Sequence, residues 1–222
     1  MMKWLVAAAF VVACHMTPGR EVHGVHVMDL GAGSGGGTLV VSLHGMGGTP
    51  IKHANLWEGF TGADVVLPYG LWPLGLGYQW FDWPPEMSDD GIADAIVAAD
   101  RELWPAIDEL AHGRPIIVAG FSQGAMMAYA MAVLHPDRVI AALPIAGFLP
   151  GKLRPRPGAR VAPIWAFHGS ADNVIDPQRA RDTIAALKAA GATAELTEMP
   201  GVGHDQVPFR SQLFERVHAL LR

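Results

Sequence analysis

The stretch Val118-Ala119-Gly120-Phe121-Ser122-Gln123-Gly124-Ala125 places a serine between two glycines, where an apolar run gives way to a helix-like segment. Glycines two residues before and after a serine let a strand turn sharply into a helix, with the hydroxyl exposed at the turn. A serine held in strained backbone beside a helix N-terminus is set to attack a carbonyl, and nearby N–H groups can bind the resulting oxyanion. The competing reading is a glycine-bracketed turn with an ordinary serine. Position alone is not enough, because a neutral hydroxyl also needs a base for its proton and a carboxylate to orient that base.

Both partners are offered downstream, each just past an expected strand. Trp165-Ala166-Phe167-His168-Gly169-Ser170-Ala171 leads to Asp172, and Glu198-Met199-Pro200-Gly201-Val202-Gly203 leads to His204. Singly, each has a plain explanation: Asp172 as a capping carboxylate near Asp176 and Asp182, His204 as one of ten histidines. Jointly they give the chain order Ser122, Asp172, His204, with all three at strand ends. Asp176 and Asp205 are the next acids, but Asp205 adjoins the histidine and reaches its Nδ1 poorly. The amides of Gln123 and of Met46, in His44-Gly45-Met46-Gly47-Gly48, are the expected oxyanion donors. His44 is expected to brace that loop by hydrogen bonds rather than act as a base or metal ligand. No Cys/His cluster or His-Glu-x-x-His pattern points to zinc, and no cofactor is expected.

The elements that must carry these residues follow from periodicity. Val22, Val25, Val27 and Leu30 alternate as an edge strand. Thr38–Leu43 and Pro115–Ala119 are continuous apolar runs, as strands buried on both faces require. Val65–Leu67, Val139–Ile145, Val161–Phe167 and Thr193–Met199 add further strands. Helices are expected from Ser88, with an apolar stripe from Ile92 to Leu110 and a kink at Pro105, and over Ser122–Leu134, Pro177–Ala190 and Phe209–Leu221. Pro150–Gly158 reads as a loop and Gly31–Gly37 as a flexible turn without the Lys-Ser/Thr of a phosphate loop. This alternation predicts an α/β fold: a mostly parallel central sheet with helices on both faces and chemistry at the C-terminal strand ends. Tyr69–Met87, crowded with Tyr69, Trp72, Tyr78, Trp80, Phe81 and Trp83, has neither period. It is either a lid or acyl-binding wall, with Trp80 and Phe81 as substrate contacts, or a loop packing its own aromatics onto the body.

The 222 residues, half of them apolar and 17% charged, suit one domain over 21–222 with a substantial core. A formal charge of -5 without basic blocks argues against nucleic acid as a partner. The single cysteine, Cys14, cannot form an internal disulfide. It ends the apolar run Trp4–Ala13, after Lys3, so residues 1–20 read as a leader and linker. Val11-Val12-Ala13-Cys14 looks like a bacterial lipobox, which would make the protein exported, periplasmic or anchored to a membrane through a lipid on Cys14. The alternatives are a buried N-terminal element and a cytoplasmic location.

Leu43-His44-Gly45-Met46-Gly47-Gly48-Thr49, Trp80-Phe81-Asp82, Gly120-Phe121-Ser122-Gln123-Gly124-Ala125, His168-Gly169-Ser170-Ala171-Asp172-Asn173-Val174-Ile175 and Gly203-His204 together resemble the phospholipase/carboxylesterase family of α/β-hydrolases. That family includes bacterial carboxylesterases and acyl-protein thioesterases. The resemblance implies cofactor-free hydrolysis of esters or thioesters through an acyl-serine, with Ser122, Asp172 and His204 as triad and the Met46 and Gln123 amides as oxyanion hole. Ala125 departs from the family's usual second glycine, and Tyr69–Met87 departs further. The expected activity is a serine esterase acting on a small-molecule ester with a small to medium acyl chain. Alternatives are a thioesterase, a secreted polyester or feruloyl esterase, a catalytically silent binding module, and a membrane-tethered interaction protein. Oligomeric state is not encoded in these patterns.

Overall fold

The computed structural model describes residues 19–31 and 37–222. The leader reading, with Cys14, and most of the Gly31–Gly37 turn fall outside the described residues.

Among the described residues eight strands form one sheet. In chain order these are β1 (Arg20–Val22), β2 (Val25–Asp29), β3 (Leu39–Leu43), β4 (Asp64–Pro68), β7 (Ile116–Phe121), β8 (Val139–Ile145), β9 (Ile164–Gly169) and β10 (Ala194–Met199). β5 (Trp72–Leu74) and β6 (Gly77–Gln79) form a separate antiparallel ribbon. The sheet order is β1-β2-β4-β3-β7-β8-β9-β10, with β1 and β2 antiparallel to their neighbours and every pairing from β4 to β10 parallel. The single edge strand expected through Val22–Leu30 is instead a hairpin. His23 and Gly24 both take positive φ, 48° and 77°, which turns the chain back in two residues.

The central strands are buried on both faces, and their alternation sorts the core into two layers. Leu39, Val41, Leu43, Ile116 and Val118 pack with α2 (Asp89–Ala111), α3 (Gln123–Leu134) and α4 (Pro177–Ala189). Val40, Ile117 and Ala119 point the other way, to Leu56, Trp57, Phe60 and the apolar side of α5 (Arg210–Leu220). A short helix, α1 (Pro50–His53), follows the β3 loop. Ser88 caps α2 as its spacing predicts, its Oγ accepting from Gly91 N–H at 3.1 Å. The helix runs unbroken through Pro105. β9 begins at Ile164, three residues later than expected, and extends to Gly169.

β7 lies in the middle of the parallel block. The loops after β3, β7, β9 and β10 therefore open at the same end of the sheet, where the candidate residues meet.

Candidate active site

Ser122 ends β7 and caps α3 with φ 55° and ψ −116°, a left-handed setting that costs a non-glycine residue roughly 1–3 kcal/mol. The surroundings hold it there. Its N–H donates to Ile145 O at 2.9 Å, and its carbonyl accepts from Ala125 and Met126. The flanking glycines are required by contact: a Cβ on Gly120 would lie 2.2 Å from Gly124 O, and one on Gly124 would lie 2.2 Å from Leu43 O. Ala125, the departure from the family glycine, is accommodated by Gly147, where a Cβ would lie 2.6 Å from the Ala125 methyl.

The loops after β9 and β10 bring the two partners to this turn. His204 Nε2 lies 2.9 Å from Ser122 Oγ, and its Nδ1 lies 2.7 Å from Asp172 Oδ2. With Nδ1–H donating to the carboxylate, Nε2 is left to accept the serine proton. The Asp172 carboxylate is fully buried; its Oδ1 accepts from Val174 N–H at 2.9 Å and Ile175 N–H at 3.0 Å. Burial by itself would raise its pKa, but the bonds from His204, Ile175 and Val174 together hold it below the usual carboxylate range. The rival acids are engaged elsewhere: Asp176 caps α4 through Gln178 N–H, and Asp205 accepts from Val207 N–H.

On the β3 side, the loop carrying Met46 is braced by His44, as expected. Gly70 N–H donates to His44 Nε2 at 3.0 Å, so Nδ1 carries the proton and donates to Gly45 O at 2.8 Å. Burial lowers this imidazole's pKa to about 4, which keeps it neutral. Among the described residues the N–H groups of Met46 and Gln123 have no partner in the chain, which leaves both able to donate to a ligand. Gln123 N–H also lies at the open N-terminus of α3. A cavity of about 210 Å³ adjoins this loop, lined by Met46, Thr49, His53, Phe121 and Gln206 among others. Among the described residues no group of three or more His, Cys, Asp or Glu side chains is arranged to hold a metal ion.

Trp80 does not meet its expectation as a substrate contact. It is fully buried, donating from Nε1 to His44 O at 2.7 Å and from its backbone to Gln123 Oε1 at 2.8 Å. Phe81 is also buried, with its carbonyl accepting from Gln123 Nε2; it lines a second cavity, of about 520 Å³, together with Trp72, Pro73 and Met87. The segment 69–87 packs aromatics onto the body, as the second reading expects: Trp80 and Phe81 enter the core and the Trp83 ring lies against Phe148. Its β5–β6 ribbon is bonded to the Met46 loop, while Trp72, Leu74 and Leu76 face outward.

Sequence reasoning missed two buried histidines. His168, inside the quoted His-Gly-Ser-Ala-Asp motif, points Nε2–H between Ile175 O and Asp172 Oδ2, each at 3.1 Å, and burial lowers its pKa. His53 lies 2.8 Å from Ser42 Oγ, which also accepts from Trp57 Nε1 at 2.7 Å. His168 follows an apolar run and could have been noticed there; His53 and Ser42, 11 residues apart, meet only in the fold.

Comparison with known proteins agrees with this architecture. Residues 36–215 match the phospholipase/carboxylesterase family. A probable carboxylesterase of Oryza sativa subsp. japonica is 33% identical over 189 residues, 75% of this chain and 71% of the relative. Acyl-protein thioesterase 1 of Saccharomyces cerevisiae is 30% identical over 176 residues, 74% and 75% of the two chains. The crystal structure of esterase PE8 superposes with a TM-score of 0.76 at 26% identity, covering 87% of this chain and 97% of that one. The chain thus belongs to the phospholipase/carboxylesterase family: it is an α/β-hydrolase and a hydrolase of carboxylic esters.

Proposed function

We propose that this chain hydrolyses esters of small to medium acyl chains, with Ser122 as nucleophile, His204 as base and Asp172 as its orienting acid. The observation that carries this reading is the continuous contact from Ser122 Oγ through the His204 ring to a buried carboxylate, at 2.9 and 2.7 Å. In attack, Oγ bonds to the ester carbonyl carbon and its proton passes to His204 Nε2. Asp172 stabilises the imidazolium without taking the proton. The Met46 and Gln123 amides receive the oxyanion. Collapse breaks the bond to the alcohol oxygen, which takes the proton from Nε2, and water then cleaves the acyl-serine by the same path. The modest cavity beside Met46 supports a short group on that side.

Turnover of p-nitrophenyl esters from acetate to palmitate, by wild type and Ser122→Ala, tests the reading. Serine-dependent rates that fall with chain length are expected; a maximum at palmitate would overturn the size assignment. The yeast relative's name motivates a second reading, thioester hydrolysis, which matched oxo- and thioesters would separate. A folded protein that a fluorophosphonate fails to label would instead indicate a silent binding module.

The apolar run ending at Cys14 supports export with lipid attachment. Cells expressing the full chain should hold it in the membrane fraction, and Cys14→Ser should release it. Equal recovery of both forms in the soluble fraction, with Met1 retained, would discard the proposal.

A further inference from the structure

Five hydrogen bonds join one four-residue stretch, Tyr78–Phe81, to the two places that hold the candidate oxyanion donors. On the Met46 side, Gly47 N–H donates to Tyr78 O at 2.8 Å and Tyr78 N–H donates to Gly48 O at 2.9 Å. Trp80 Nε1–H donates to His44 O at 2.7 Å, with its ring 4.8 Å from the imidazole. On the Ser122 side, Trp80 N–H donates to Gln123 Oε1 and Gln123 Nε2–H donates to Phe81 O, both at 2.8 Å. The stretch is seated flush, since a Cβ on the preceding Gly77 would lie 2.1 Å from Gly47 O. Glutamine suits the link because one flat amide offers an acceptor and a donor to successive main-chain groups. Gln123 is fully buried, so water does not compete for either bond.

We propose that Tyr78–Phe81 is a positioning strap for the oxyanion hole, with the Gln123 side chain and the Trp80 indole fixing the separation of the Met46 and Gln123 amides. The inference rests on the assignment of those amides and of Ser122 made above. Its consequence is that two side chains without substrate contact control kcat. Oxyanion donors act only when they fit the position that the negative oxygen reaches in the transition state, and a misplacement of about 1 Å is worth roughly 100-fold. The strap also explains why an aromatic segment without helical or strand period keeps a fixed place: its polar main chain is spent on the two halves of the site.

Gln123→Met keeps the backbone amide and the side-chain length but removes both side-chain bonds. Trp80→Phe removes only the bond to His44 O. Each is compared with wild type and Ser122→Ala, well below its Tm, for kcat and KM on p-nitrophenyl butyrate. Inhibition by an alkyl trifluoromethyl ketone, which a serine nucleophile converts to a tetrahedral oxyanion adduct, is measured in parallel. Gln123→Met is expected to lower kcat about 30- to 100-fold with KM within about twofold, and to raise the ketone's Ki by a similar factor. Trp80→Phe should show the same pattern at about 5- to 10-fold. A lowered Tm with kcat and Ki unchanged overturns the proposal and leaves the strap a purely structural part. If Gln123→Met does not fold, the Trp80→Phe ratios decide alone. Full activity in Ser122→Ala would overturn the underlying assignment instead, so the two failures are distinguishable.

Discussion

Among the described residues two serine–histidine pairs stand at nearly the same distance, and one of them is arranged for chemistry. Ser122 Oγ lies 2.9 Å from His204 Nε2, and Ser42 Oγ lies 2.8 Å from His53 Nε2. Ser122 sits at a strained turn at the mouth of the sheet, against a histidine whose far nitrogen meets a buried carboxylate. Ser42 lies inside β3, fully buried, with Trp57 Nε1–H already on its oxygen. Gln206 lines the same cavity as His53, and an amide carries no charge with which to stabilise an imidazolium as Asp172 does. Burial lowers the His53 pKa to about 3, with the nearby His44 adding to the effect, so His53 resists taking a proton. A serine–histidine contact is therefore a common hydrogen bond. What makes a nucleophile of one pair is the exposed turn, the carboxylate behind the ring and free N–H donors in front.

The sharpest way to break this comparison is to remove each hydroxyl in turn. Ser122→Ala should lower kcat/KM by about 10⁴-fold or more while leaving Tm within a few degrees. Asp172→Asn comes next, at about 10⁴-fold in kcat, because an amide no longer fixes the His204 tautomer. Kinetics on a short p-nitrophenyl ester check both. An Asp172→Asn variant within tenfold of wild type would show that the carboxylate is not what separates the two pairs.

Acid should destabilise the fold through its buried imidazoles, His44, His53 and His168, whose pKa values burial lowers. In the folded protein burial holds His44 and His53 at pKa values of about 4 and about 3, below the ordinary imidazole value of 6.5. They bind protons more readily when the chain unfolds. Their contribution to stability is thus complete above pH 6.5, shrinks as pH falls below it, and is gone once pH passes the native values. For His44 alone the loss between pH 6.5 and 4 is about 3 kcal/mol. Urea unfolding midpoints measured from pH 7 to pH 4 check this. A flat profile would mean that neither imidazole is held neutral by the fold.

The two pairs also differ in how far the sequence discloses them. Ser122, Asp172 and His204 each stand just past a strand in a glycine-marked turn, so strand periodicity and local backbone chemistry point to them individually. The central strands and the four long helices are legible for the same reason, because burial on one or two faces writes itself as a period. Ser42 and His53 carry no such mark. Ser42 is a small residue within a buried strand, and its partners come from α1 and the turn after it. The strap was equally hidden: Trp80 looked like a ligand contact, yet its indole is consumed by His44 O, a bond that no spacing encodes. The hairpin at His23–Gly24 does leave a mark: Val22 and Val25 are three residues apart, an odd step that breaks the two-residue alternation kept by Val25 and Val27 and signals the reversal.

Ser42→Ala has the smallest effect on activity and is the finest test of the contrast. The change removes an oxygen that serves Trp57 Nε1 and His53 Nε2 together, leaving two buried polar groups without their partner. Such losses cost about 1–3 kcal/mol in stability, so Tm should fall by several degrees. The catalytic parts are held by other means: His44 through Gly45 and Gly70, Ser122 through Ile145, Asp172 through its own loop. Turnover measured well below Tm should therefore stay within about twofold of wild type, with KM unchanged. A tenfold fall in kcat would mean that the buried pair transmits to the Met46 loop, which begins at His44 just past the end of β3, and that the two serine–histidine pairs work as one unit.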